Sequence, residues 1–90
     1  MWFIKEKNEM KNINLLDAPA NTELEVLGIN AGHMAKQRLI SMGIHVEDKL
    51  VKYTNSSWGP VLIKNVTLNS TKIAIGKRLA SKIMVGYEET

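Results

Sequence analysis

The chain has 90 residues, with twelve Lys and Arg against nine Asp and Glu for a net charge of +3, and no cysteine. That composition excludes a disulfide framework, a thiolate nucleophile and the cysteine-rich zinc fingers, and it suits a reducing cytosol. A single domain this small buries a thin core, and no apolar run approaches the ~20 residues of a spanning helix or the apolar stretch of about 7–15 residues in a signal peptide, so the expectation is a soluble, cytoplasmic protein without a large interior site.

Along the chain, residues 1–14 read as an N-terminal extension, charged and asparagine-rich. Phe3, Met10 and Ile13 could line a weak helix, while Trp2, Phe3 and Ile4 could cover a sheet edge or dock on a partner. The domain proper is expected over residues 15–90. Pro19 and Asn21 mark a turn, and Glu23–Ile29 follows as a strand in which Leu24 and Val26 alternate with Glu23 and Glu25. Residues 33–42 form the one good helix candidate, with Met34, Ala35, Leu39 and Met42 near one face. Gly43 stands where a left-handed cap is needed, and Ile44 is expected to fold back onto the last turn.

Beyond the helix the pattern is strand. Residues 49–54 alternate, Val51 and Tyr53 on one side and Leu50, Lys52 and Thr54 on the other. The cluster Asn55-Ser56-Ser57-Trp58-Gly59-Pro60 is a turn, and residues 61–68 form the longest strand. Asn69-Ser70 supports a hairpin into Lys72–Ile75, then a single helical turn at residues 76–80 and a last strand at 82–87. Five short strands and one short helix point to a mainly β protein, a small, partly open five-stranded β-barrel with a short C-terminal helical turn. Periodicity alone fits SH3-like and OB-like barrels equally.

The charge is unevenly spread. Residues 1–48 hold five basic and seven acidic side chains, residues 49–90 hold seven basic and two acidic, and no carboxylate side chain occurs from residue 49 to 87. Lys64, Lys72, Lys77, Arg78 and Lys82 therefore form a basic stretch. Between Val61 and Met84 there is no aromatic residue of the kind that stacks on bases, so nucleic acid is not the expected partner. Lysines spaced along strands also protect edges, and of the partners they suit an acidic protein face comes first, with an anionic membrane surface as the lesser alternative.

Chemistry finds little purchase. The glycines are too dispersed for a phosphate-binding loop, no nucleophile elbow or paired carboxylates occur, and neither an enzyme nor a cofactor is expected. His45, Glu47 and Asp48, with His33 across the helix, are the weak candidates for a metal site. The same residues read as an ordinary polar turn between helix and strand.

In order along the chain stand Leu16-Asp17-Ala18-Pro19, the strand with Val26 and Ile29, Gly32, and the helix with Arg38-Leu39. Then come Met42-Gly43-Ile44, Gly59-Pro60-Val61, Ile75-Gly76-Lys77-Arg78-Leu79-Ala80 and Ile83-Met84-Val85. From about residue 15 to 86 this series resembles the ferrous iron transport protein A (FeoA) family. The resemblance implies a cytoplasmic SH3-like β-barrel without a catalytic centre that works in Fe(II) uptake with FeoB, a membrane permease carrying a cytosolic GTP-binding domain. It implies contact with the membrane through that partner only. The alternative it carries is a freestanding regulator module related to the C-terminal domain of iron-dependent repressors. The expected partner surface is Arg38, Met42 and Ile44 with Trp58 at the rim, and a barrel this small with an apolar N-terminus is a candidate homodimer. Departures lie in the loops. Val46-Glu47 replaces the family's Pro-Gly, Asn55-Ser56-Ser57-Trp58 replaces a glycine-rich approach to Gly59-Pro60, and the hairpin at Asn69-Ser70 lacks a common glycine.

Overall fold

The computed structural model describes residues 10–54 and 59–88. Six strands, β1 (Met10–Asn14), β2 (Glu23–Ile29), β3 (Lys49–Lys52), β4 (Val61–Asn65), β5 (Lys72–Ile75) and β6 (Ile83–Glu88), make one antiparallel sheet. The order is β1-β6-β2-β3-β4-β5, so among the described residues β1 and β5 are its edges. A 3-10 turn (Leu15–Asp17) follows β1, helix α1 (His33–Ser41) links β2 to β3, and the short α2 (Lys77–Ala80) links β5 to β6. The fold is mainly β with two small helices, as the alternation of the sequence requires.

One core gathers the inward residues of the strands: Leu24 and Val26 from β2, Leu50 from β3, Ile63 from β4, Ile75 from β5 and Val85 from β6. Leu39 of α1 and Ala80 of α2 close its ends. Burying about a dozen apolar side chains of this size supplies the main driving force for so small a domain.

Four details differ from the sequence reading. The stretch set apart as an extension supplies a sixth strand, whose Ile13 pairs with Val85 and packs on the core. A single apolar residue between asparagines shows no period-2 pattern, which is why the strand was invisible. The strand expected over 49–54 ends at Lys52, with Leu50 and Lys52 inward. The strand expected over 61–68 ends at Asn65, because that side chain starts a turn: Asn65 Oδ1 accepts from the Leu68 N–H at 3.1 Å. In α1, Met34 is 78% exposed and Leu39 alone is fully buried, since the short helix touches the core through little more than its last turn.

The β2–β6 ladder slips at Leu27, an extra residue that bulges outward. Opposite it, a Cβ on Gly86 would stand 3.0 Å from Leu27 Cδ1 and from Met10 Cε. Glycine there lets both side chains lie across the outer face.

Candidate functional site

The end of the molecule formed by α1, the turn after it and the β4–β5 hairpin is held by unusual polar chemistry. α1 stops because Gly43 takes φ +88, a left-handed conformation that glycine tolerates best. The Gly43 N–H then donates to Ile40 O at 2.9 Å and the Ile44 N–H to Leu39 O at 3.0 Å. These are the paired bonds of a Schellman cap, and the Leu39–Ile44 apolar contact that accompanies it lies in the core.

The chain next makes a tight turn around a buried carboxylate. Asp48 Oδ2 accepts from the His45 N–H at 3.0 Å, from Asn65 Nδ2 at 2.8 Å and lies 3.3 Å from His45 Nδ1. Burial pushes the Asp48 carboxyl up, but the hydrogen bonds from Asn65 and His45 outweigh it and hold the group below its ordinary value. Asn65, fully buried, also donates to Gly43 O at 2.7 Å and takes Ser70 Oγ on its own N–H at 2.9 Å. One asparagine therefore ties the helix cap, the turn and the hairpin together. Lys49 N–H donates to Thr67 Oγ1 at 2.8 Å and adds a second tie.

This cross-tied end carries exposed apolar side chains. Ile40 is 49% exposed, Val46 50% and Leu68 54%, with Val66 beside them on the hairpin. Ile40 and Val46 share a depression of about 200 Å³ with Ile29, Lys36 and His45. Leu68 reaches back to Gly43, where a Cβ would meet its Cδ1 at 3.9 Å. Burial of single large apolar residues is the commoner state, so several together on a rigid frame mark a contact surface.

The residues singled out by sequence fall unevenly on this frame. Arg38 is exposed on α1 and lines a second, shallow depression with His33, Met34, Gln37 and Ser41. Met42, at the helix cap, is half-buried against the core. Ile44 is fully buried, a correction to its place in the expected surface: the Schellman turn that folds it back also removes it from any partner. Trp58 lies outside the described residues.

Of the metal candidates, Asp48 spends its inner oxygen on the turn, Glu47 is exposed, and His33 borders a different depression from His45. Among the described residues, no group of three metal-ligating side chains comes together. None of the described helices is long and apolar enough to cross a membrane.

Two polar residues escaped the sequence reading. Asn65 continues the inward series Val61, Ile63, and Lys52 continues the inward Leu50, so a polar residue at an inward position was the available signal. Lys52 is 4% exposed and its ammonium donates to the carbonyls of Leu15, Leu16 and Ala18 at 3.1, 2.6 and 2.7 Å. Desolvation lowers its pKa from the ordinary 10.5, with Asp17 opposing.

Comparison with known proteins gives a consistent family. The FeoA domain model matches residues 13–86. A protein of Methanocaldococcus jannaschii named "Putative Fe(2+) transport protein A" is 46% identical over 68 residues, covering 76% of this chain and 78% of the relative. A crystal structure of the iron uptake regulatory protein FeoA superposes with a TM-score of 0.74 at 29% identity, over 83% of this chain and 96% of that one. The zinc complex of Stenotrophomonas maltophilia FeoA, described as an SH3 domain protein, superposes at 0.67 with 18% identity, over 81% and 88% of the two chains. That last likeness is one of fold, and the fold is SH3-like.

Proposed function

The chain belongs to the FeoA domain family, and from that premise we propose that it serves ferrous iron uptake as a cytoplasmic accessory protein, by binding the cytosolic part of a FeoB-type permease. Its action is recognition rather than catalysis, in keeping with the absence of a nucleophile or acid–base pair in its sequence motifs. The observation that carries the reading is the apolar end built from Ile40, Val46 and Leu68 on the Asn65-tied frame. Arg38 and Lys36 border that end and supply charge for steering toward an acidic partner.

Pre-organisation favours such a surface, because a frame already fixed by hydrogen bonds loses little conformational entropy on binding. Central apolar side chains seated between polar neighbours are the usual anchors of an interface. The test is titration of the permease's cytosolic GTP-binding domain with wild type and with the Ile40→Asp, Val46→Asp double variant. Both side chains are about half exposed, so the variant is expected to keep its melting temperature within a few degrees and to lose binding by about tenfold or more. Undiminished binding by the folded variant would remove this surface from the proposal.

A further inference from the structure

The outer face of the sheet presents two lysines in direct opposition. Lys64 of β4 and Lys72 of β5 are register partners. Both point away from the core, because their neighbours Ile63 and Ile73 point into it. Like charges placed directly across two strands oppose pairing. Lys72 finds partial relief in the Tyr53 ring, whose centroid lies 4.8 Å from its Nζ. Among the described residues neither lysine has a carboxylate partner, and residues 49–87 contain no carboxylate side chain.

Edge protection accounts for only one of the two. β5 is an edge strand, and a lysine on it discourages indiscriminate pairing. Lys64 lies on β4, which is paired on both sides by β3 and β5 and has no edge to protect. A second cation held against the first at some electrostatic cost is accounted for if an anion completes the pair.

We infer that the edge of β5, unpaired among the described residues, receives an extended acidic segment of a protein partner as a seventh strand, with its carboxylates beside Lys72 and facing Lys64 across β5. Strand addition supplies main-chain hydrogen bonds along Lys72–Ile75, and side-chain alternation supplies the selectivity. On the outer face the segment needs Glu or Asp to meet the lysines. On the inner face it needs apolar residues to continue the row of Ile73 and Ile75. The recognised pattern is therefore acidic–apolar alternation in an extended chain. Nucleic acid and anionic lipid share the charge but offer no strand to pair. This surface uses neither Ile40 nor Val46, so the Ile40→Asp, Val46→Asp variant that tests the docking surface proposed above leaves it in place.

The experiment uses the whole chain and an eight-residue peptide alternating Glu and Val, followed by amide NMR. The expected result is chemical-shift change and slowed amide exchange centred on residues 72–75, weakening with added salt. Lys64→Glu with Lys72→Glu should reduce the affinity about tenfold or more and should admit the corresponding Lys-Val peptide instead. Lys64→Gln with Lys72→Gln serves as the gentler pair should charge reversal unfold the sheet. Shifts confined to other elements, no shift at millimolar peptide, or tighter binding of a DNA duplex or phosphatidylserine vesicles would each overturn the inference.

Discussion

Replacing Lys52 by methionine isolates the buried ammonium, because methionine keeps much of the side chain's length and apolar contact while removing three donors. The ammonium is almost wholly buried and satisfies three carbonyls of the segment that joins β1 to β2. Three hydrogen bonds to a charged donor amount to about 5–9 kcal/mol at roughly 1.5–3 each. Against that, the variant recovers the desolvation cost of the ion, an effective several kcal/mol. What stays behind are the carbonyls of Leu16 and Ala18 without a donor, while Leu15 O keeps the Ala18 N–H at 3.3 Å. The net loss is therefore about 2–4 kcal/mol, a large share of the ~5–15 kcal/mol of a typical domain.

Urea unfolding followed by far-UV circular dichroism measures this loss, with the slope unchanged if only stability has moved. The sign with pH is also defined. Because the folded pKa lies below 10.5, the unfolded chain binds more protons between the two values, so Lys52 contributes added stability as pH rises through that window and loses it as pH falls. Lys52→Met should lack this limb. A variant as stable as wild type, with the same alkaline profile, would refute the view that the ammonium is what secures the 15–18 segment.

Two further predictions concern the turn after α1. Glu47 has φ +80 at a position where the resemblance to the family calls for glycine. Relief of left-handed strain, about 1–2 kcal/mol, exceeds the ~0.4–1 kcal/mol that glycine adds to unfolded-chain entropy. Glu47→Gly should therefore raise stability by about 0.5–1 kcal/mol in a thermal melt, and a fall in Tm would contradict the strain argument. Asp48 is held below 3.8, so its contribution is complete above that pH and is lost as pH falls through the folded value. Acid titration of wild type against Asp48→Asn should show the variant less stable at pH 7 and the gap closing below pH 4. A gap constant with pH would show that the carboxylate's charge plays no part.

Much of the fold was legible because each principal strand carried its own signal. Leu24 and Val26 alternate with glutamates, and Gly43 follows an apolar helix end, so β2 and the end of α1 could be placed from local chemistry alone. β1 could not, since its place in the sheet depends on Val85, more than seventy residues away. Of the expected partner residues, Arg38 is exposed on α1 and Met42 packs against the core, while the exposed apolar Val46 and Leu68 carried no signal in the sequence. The candidate site's organising residue was hidden, because Asn65 sits within the expected strand and its partners, the Gly43 carbonyl and Asp48, stand 22 and 17 residues away along the chain. Ile44 misled for a related reason. An apolar residue after a glycine cap reads equally as an exposed anchor or as the inner half of the cap contact, and only packing decides.

The two buried polar centres divide the work of a molecule with a thin core. Lys52 fixes the segment that carries the chain from the edge strand into the sheet, and Asn65 with Asp48 fixes the opposite junction of helix and hairpin. Between them the outer sheet face is split by charge. Glu23, Glu25 and Glu88 surround a shallow depression of about 320 Å³ floored by Gly86, while Lys64 and Lys72 occupy the β4–β5 side. Lys49 offsets the glutamates by standing opposite Glu25, so the acidic side of the face is partly neutralised while the β4–β5 side is wholly basic, and that difference gives an approaching partner an orientation as well as an attraction. For the acidic segment inferred above, the carboxylate-free β4–β5 side is the favoured approach, and β5 is an edge among the described residues.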